Sequence, residues 1–367
     1  MDLQVEGEAL RVTAVVVGYG EMPILPQCVD ALAASEDVTI DIVVVDNGMS
    51  EATARAVSDD SRVRVVGSGE NLGFGGGCNL GVACSTSPTV AFINPDAIVG
   101  AAAIKTLAAT LDDPAIGIAS ARLRLLEEPD LLNSAGNTMH FLGLGWAEGF
   151  RADVGTAVET RPVTGATGAA MAMRRDTFEH VGGFTPELFL YQEDLELSLR
   201  CWELGYRVQF VPDADVWHHY EFSRNADKYY YLERNRLILV STLYEARTIA
   251  LLLPALMVFE LGIFVVAAKQ GWMSEKARGW RWIVANRRWV GAHRRTLQAR
   301  RVVSDRSLAP LLSSRFDAGQ LQMPGLLQPV DKAMALYWRL VLLVIGAPPA
   351  PDDGARQGSR ATTTNSL

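Results

Sequence analysis

IDIVVVDNG, residues 40–48, decides how the chain is read. Its apolar run Ile40–Val45 is rich in β-branched residues, reads as a strand, and ends on Asp46-Asn47-Gly48. Val12–Val17 (VTAVVV), Val63–Val66 and Thr89–Ile93 have the same character, and helix-like stretches such as Leu25–Ala34 and Ala52–Val57 lie between them. Apolar strands alternating with helices predict a parallel sheet covered on both faces. That is a doubly wound α/β domain, whose ligands sit beyond the carboxyl ends of the strands.

The strand ends are therefore the places to look. Asp46 can hydrogen-bond a base or ribose, although Asp-Asn-Gly also favours a simple turn. The first strand ends at Gly18-Tyr19-Gly20. Gly67–Gly81, GSGENLGFGGGCNLG, has six glycines between Gly67 and Gly77. It reads as a loop whose backbone approaches a phosphate, with a flexible linker as the alternative. No Gly-Lys-Ser/Thr follows, and the third glycine of a dinucleotide fingerprint falls at Cys78, so neither of those motifs applies. The fourth run delivers Asn94-Pro95-Asp96, which is either a turn or an arm reaching for a metal ion. One carboxylate cannot hold Mg²⁺ or Mn²⁺ against water, so a second ligand must come from elsewhere in the chain.

Leu188–Ser223 supplies candidates. Glu193-Asp194 opens a helix predicted over Asp194–Leu204, closed by Gly205. The two acids either cap that helix or form a general base with its neighbour. A strand over Tyr206–Val211 and a turn at Pro212–Asp215 lead to Trp217-His218-His219-Tyr220, which holds two of the five histidines.

Five elements in order, VVVGYG, VVVDNG, GENLGFGGGCNLG, FINPDA and GGFTPELFLYQEDLELSLRCWELGYRVQFVPDADVWHH, resemble the inverting family 2 glycosyltransferases, and among them the rhamnosyltransferase-like bacterial branch. The resemblance covers about residues 12–222. It implies a GT-A fold, which is Rossmann-like, with a mostly parallel twisted sheet and helices on both faces. It also implies Mg²⁺ or Mn²⁺, a dTDP-, UDP- or GDP-linked sugar donor, plausible rhamnose transfer, and a glycan or lipid-linked acceptor.

Carried over by position, the resemblance assigns nucleotide-sugar contacts to Gly18, Tyr19, Asp46, Asn71, Gly73, Asn94 and Asp96. Asp96 and His218 correspond to metal ligands. Asp194 is similar to the base, with Glu193 beside it, and Gly168, Tyr191, Trp217 and His219 fall on the acceptor side. Three positions depart from the family pattern: Asn94 replaces the first acid of the DxD element, the first strand ends in Gly-Tyr-Gly, and Thr185 stands where many relatives carry an acid.

The bulk numbers set the wider frame. At 367 residues, 49% hydrophobic and 21% charged, the chain supports a sizeable core. Cys28, Cys78, Cys84 and Cys201 show no paired spacing and read as small core residues of a reducing compartment. MDLQVEGEALRV lacks an apolar signal core, so the catalytic part is expected in the cytosol.

The net charge of −8 hides an asymmetry. Residues 224–306 carry 16 Lys/Arg against 6 Asp/Glu, a surplus of +10, so the remainder carries −18. Within that basic segment, Ile249–Ala268 is long enough to cross a bilayer, but it contains Pro254 and Glu260, and a single crossing would export the Arg-rich stretch. Ala335–Gly346 is short for a second span and contains Arg339. Tryptophans 272, 280, 282 and 289 interleave with cations, which suits lipid headgroups. The expectation is an interfacial helix or hairpin at the cytoplasmic membrane face through residues 249–290. Nucleic acid is disfavoured, and a homodimer burying the apolar run is the alternative.

The expected organisation is a transferase domain over 1–223, with nucleotide and acceptor halves meeting near 125, a basic helical region over 224–347 and a low-complexity tail over 348–367. The rival function is a non-catalytic nucleotide-sugar binder or membrane scaffold. A nucleotidyltransferase would need a basic phosphate-gripping signature that GYGEMP lacks.

Overall fold

The computed structural model describes residues 10–67, 69–220, 227–316 and 328–348. The expected tail lies outside the described residues apart from Pro348, and so does most of the N-terminal stretch. The strands are β1 (Arg11–Gly20), β2 (Thr39–Met49), β3 (Val63–Val66), β4 (Thr89–Ile93), β5 (Ala97–Val99), β6 (Ile116–Leu125), β7 (Leu132–Ser134), β8 (Asn137–Met139), β9 (Gly145–Ala147), β10 (Arg161–Pro162), β11 (Ala170–Arg174) and β12 (Arg207–His218). The helices of the same half are α1 (Leu25–Ala33), α2 (Glu51–Ser58), α3 (Gly73–Ala83), α4 (Ala103–Thr110), α5 (Arg175–Val181) and α6 (Glu193–Glu203). There follow α7 (Lys228–Leu243), α8 (Ala246–Gln270), α9 (Met273–Ala285), α10 (Arg287–Arg300), α11 (Asp305–Leu308) and α12 (Gln328–Ile345).

The main sheet runs β10-β12-β6-β11-β4-β1-β2-β3, and β8-β9 forms a separate hairpin. Its expected mostly parallel character holds for β4-β1-β2-β3 and for β6-β12, but β11 runs antiparallel to both β4 and β6. The sheet is therefore mixed.

The apolar strands have no polar alternation because each face of the sheet meets its own core. Val12, Ala14 and Val16 of β1 enter the layer beneath α1 and α4. Val15 and Val17 enter the opposite layer with Cys78, Phe178 and Phe184. Thr13 between them satisfies its hydroxyl by donating to Ser87 Oγ at 2.9 Å. Cys28, Cys78 and Cys201 are buried, and Cys84 is partly exposed.

Two local expectations are corrected. The glycine-rich stretch is a loop only to Leu72; from Gly73 it is the helix α3. The glycines serve close packing, since a Cβ on Gly77 would lie 2.7 Å from Val17 Cγ1 and one on Gly81 2.3 Å from Val15 Cγ1. Likewise the turn expected at Pro212–Asp215 is a register shift inside the continuous strand β12, so the strand reaches His218.

A third core joins the C-terminal helices to the site. Ile238, Leu239 and Leu243 of α7 pack with Phe141, Leu142, Leu188, Leu195 and Trp338. Glu260, the charge inside the apolar run, points to the protein side of α8. It binds Arg236 and accepts from Lys276 Nζ at 2.9 Å. α12 is 18 residues long, longer than expected from the sequence.

Candidate active site

Asn94-Pro95-Asp96 is both a turn and a functional candidate. Asn94 O accepts from Ala97 N at 3.1 Å, closing the turn, and β5 then pairs antiparallel with the end of β12, setting Ala97 opposite His218. That register brings together residues more than 120 positions apart. His218 Nε2 lies 3.2 Å from Asp96 Oδ1 and 3.2 Å from Asn94 Nδ2, and its Nδ1 lies 2.9 Å from Asn133 Oδ1. With Asn133 accepting from Nδ1–H, Nε2 keeps its lone pair and faces a carboxylate oxygen. A proton on His218, or a cation shared with Asp96, satisfies that arrangement. Among the described residues no group of three His, Cys, Asp or Glu gathers as a metal site. The donors are thus one carboxylate and one imidazole, a set that suits an ion arriving with phosphate ligands of its own.

Asp194 faces the same space from the first turn of α6. Its Oδ2 accepts from Gly168 N at 2.9 Å and Asn137 Nδ2 at 3.0 Å, and Oδ1 accepts from Leu195 N at 2.7 Å. Gly168 has no side chain to spare: a Cβ would meet Phe74 at 3.1 Å and Asp194 Cβ at 3.5 Å. Burial raises the Asp194 pKa, opposed by those three hydrogen bonds. Glu193 is raised much further, by burial and then by Asp194 and Glu196. Burial disfavours the charge on both acids, and three donors oppose that effect at the Asp194 carboxylate.

A cleft of about 400 Å³ links His218 to Asp194, while Asp96 lies behind His218, outside the cleft lining. Asn94, His218 and Asn133 form one wall, and Glu193, Asp194, Gly168 and Tyr191 another; Trp146 and Tyr220 add aromatic surface. Tyr220 is pushed to about 12, by burial and then by Tyr191.

Other expected residues lie elsewhere. Trp217 pairs with Ile98 and its ring sits under Arg124, away from the cleft lining. His219 binds Glu127, and its backbone N–H donates to Asp96 O at 3.0 Å. Gly18, Tyr19 and Asp46 mark the carboxyl ends of β1 and β2, outside the cleft lining. Asp46 Oδ1 accepts from Gly48 N at 3.1 Å and Met49 N at 2.9 Å, a local bracket at the carboxyl end of β2. Asn71 Oδ1 accepts from Gly73 N at 3.0 Å, which helps start α3. Gly73 has φ +73°, and a Cβ would collide with Phe189 O at 2.3 Å. Thr185 donates to Glu196, itself paired with buried Arg200.

Four asparagines carry site geometry, and of these the sequence flagged only Asn47, within its Asp-Asn-Gly strand end. Asn137 and Asn133 orient Asp194 and His218. Asn47 binds Leu72 N, Asn71 and Gly73 O, and Asn235 holds the loop before α6. A lone Asn reads as a turn residue, so only its partners reveal it.

The family model described as "Glycosyltransferase like family 2" matches residues 10–236. The chain belongs to glycosyltransferase family 2. It is 28% identical over 242 residues to an N-acetylglucosaminyl-diphospho-decaprenol L-rhamnosyltransferase of Mycobacterium tuberculosis, covering 58% of this chain and 77% of that protein. It is 24% identical over 217 residues to the O-antigen chain rhamnosyltransferase RfbN of Salmonella typhimurium, covering 58% and 68%. Among solved structures it is similar to GalNAc-T7 with UDP, GalNAc and Mn²⁺, with a TM-score of 0.53, 16% identity and 64% of this chain covered. The match spans 49% of that chain, so the likeness concerns the GT-A-like fold alone. This family 2 member is a glycosyltransferase with rhamnosyltransferase-like homologues, as its sequence motifs implied.

Proposed function

We propose that this transferase moves a sugar, rhamnose being the first candidate, from a nucleoside diphospho-sugar to a hydroxyl of a lipid-linked or cell-envelope glycan at the cytoplasmic membrane face. The observation that carries the reading is the pair of walls of one cleft: Asn94 and His218 on one side, Asp194 on the other. Asp194 accepts the acceptor hydroxyl's proton as its oxygen bonds to the anomeric carbon. The bond from that carbon to the diphosphate breaks with its electron pair, and the configuration inverts. Asp96 and His218 would hold a Mg²⁺ or Mn²⁺ ion that offsets the leaving group's charge. The nucleoside then extends toward Tyr19, Asp46 and Asn71, beyond the carboxyl ends of β1 and β2.

A panel of dTDP-, UDP- and GDP-sugars offered with a polyprenyl-diphospho-N-acetylglucosamine acceptor tests this. Transfer by the wild type, falling about 10²–10⁴-fold in Asp194→Asn, is the expected result. Equal turnover in both removes the base assignment. Asn94 in place of an acid favours a second reading, a non-catalytic binder; tight calorimetric binding of a nucleotide-sugar without turnover on any acceptor would select it.

A further inference from the structure

The two helices α8 and α12 lie side by side, and each has one finished side and one unfinished side. Tyr337 Oη donates to Leu251 O, and Arg247 donates to Val344 O at 2.6 Å, so the pair is antiparallel. Toward the protein, α8 presents Leu252, Ala255 and the paired Glu260, while α12 buries Trp338 in a 4.8 Å stack on Phe141. Away from the protein, α8 exposes Leu253, Met257, Leu261 (70% exposed), Phe264 and Val265. α12 exposes Leu336, Leu340 and Leu343 (74%), one stripe at helical spacing. Isolated apolar residues on a surface need no explanation, but two adjacent stripes do.

We propose that these two stripes form a single face that seats the enzyme in the headgroup region of an anionic bilayer without crossing it. The proposal deepens the membrane part of the reading above, and adds α12 to it. α8 is, among the described residues, the one helix long and apolar enough to span a membrane. Its inner side, however, is fixed to charged protein: Arg236 and Lys276 hold Glu260 and reach Glu233 in the cleft wall. A crossing helix surrounded by lipid would have to abandon those ion pairs.

The rim supplies the charge argument. Trp280 donates to Glu260 Oε2 at 3.2 Å, tying α9 beside α8. Trp280, Arg281 and Val284 are exposed on α9, and Arg287 and Arg288 are exposed at the start of α10, just past the break at Asn286. Aromatic and cationic residues bordering an apolar face match an anionic headgroup layer. A second copy of the chain would instead bring the same cations to the contact. Of the cations in the basic segment, Lys276 and Arg301 turn inward onto acidic partners and Arg294 onto backbone carbonyls. That leaves the rim as the electrostatic part of the face.

Flotation of the full chain with phosphatidylcholine vesicles, with and without phosphatidylglycerol, tests the proposal without any sugar substrate. Binding should require the anionic lipid, and Arg287→Glu/Arg288→Glu should weaken it by about tenfold or more. Leu261→Glu/Phe264→Glu on α8 and Leu340→Glu/Leu343→Glu on α12 should each weaken it by about tenfold or more, with melting temperatures unchanged because these side chains are exposed. Alkaline carbonate should extract the bound chain.

No flotation, or wild-type flotation by both apolar variants, overturns the proposal. Wild-type flotation by the α12 variant alone overturns the two-helix face, and carbonate resistance overturns the in-plane seating. A dimer in sedimentation that Leu261→Glu/Phe264→Glu dissolves reassigns the face to self-association. A chain that floats but turns over no nucleotide-sugar rejects the transfer reading and leaves this face standing.

Discussion

The side-chain amide of Asn235 donates to the backbone carbonyl of Tyr191 at 2.7 Å, and α7 thereby holds the loop that aims Asp194. The same amide reaches Leu188 O and Leu190 O at 2.9 Å, and Arg234 donates to Glu187 O and Leu188 O. Within that loop Phe189, Tyr191 and Gln192 adopt φ of +65°, +67° and +66°, a region that side-chain-bearing residues rarely occupy. Such a conformation persists only when its surroundings impose it. Asn235→Ala should remove the restraint and leave buried carbonyls unpaired, at a cost of about 1–3 kcal/mol. Transfer kinetics should show kcat falling with donor KM little changed. A folded Asn235→Ala enzyme with wild-type kcat would mean that α7 does not set the base.

The pH profile should carry the signature of Asp194. Its pKa is raised by burial, so the acid limb of activity should lie above the ordinary carboxylate range, with activity rising as pH rises and the base ionises. Asn137 donates to the ionised carboxylate, so Asn137→Ala destabilises the charged form and should move that limb to higher pH. A shift to lower pH, or none in a folded variant, contradicts the role of Asn137.

Asp96 and His218 should act as one unit in binding the donor. Replacing either with Ala removes one of the two ionisable groups that, among the described residues, meet there across 3.2 Å. Each variant should raise the Mn²⁺ concentration needed for half-maximal activity, by about 10-fold or more. The double variant should be little worse than the stronger single one, because the partners are coupled. Calorimetric titration of nucleoside diphosphate with and without Mn²⁺ reads the same effect apart from turnover. Unchanged metal dependence in both single variants would place the ion elsewhere.

The apolar strands were legible because their physical cause is local: a strand buried on both faces has no reason to alternate, and Thr89–Ile93 and Val63–Val66 fall where the sequence placed them. The sequence offered Asp96, Asp194 and His218 as separate candidates, but only the family resemblance grouped them, since nothing near position 96 announces that β12 will run on to 218. The glycine stretch was misread because glycine density has two causes, backbone approach to a ligand and close packing of a helix on a strand. The second applies from Gly73 onward. Gly81→Val tests it: the new side chain would press on Val15 and Val45, with a Cβ already 2.3 Å from Val15 Cγ1. A loss of about 1–3 kcal/mol or more in urea unfolding is expected. A phosphate-approach role alone would leave stability unchanged and weaken only donor binding.

Glu260 looked like an obstacle to any membrane role, a lone charge in an apolar run. It is instead one of four members of a buried cluster with Arg236, Lys276 and Glu233, in which two cations face two anions. Arg236 and Lys276 are almost fully buried, so their charges need those acids. Glu260→Ala leaves two cations sharing Glu233, and should destabilise the fold by about 3 kcal/mol, the usual scale for breaking a buried pair. Adding Lys276→Met restores one cation to one anion and should recover part of that loss, giving a coupling energy of about 1 kcal/mol or more in a double-mutant cycle. Additive losses in thermal or urea unfolding would mean that Glu260 and Lys276 act independently, and that α8 is not held to the protein by charge.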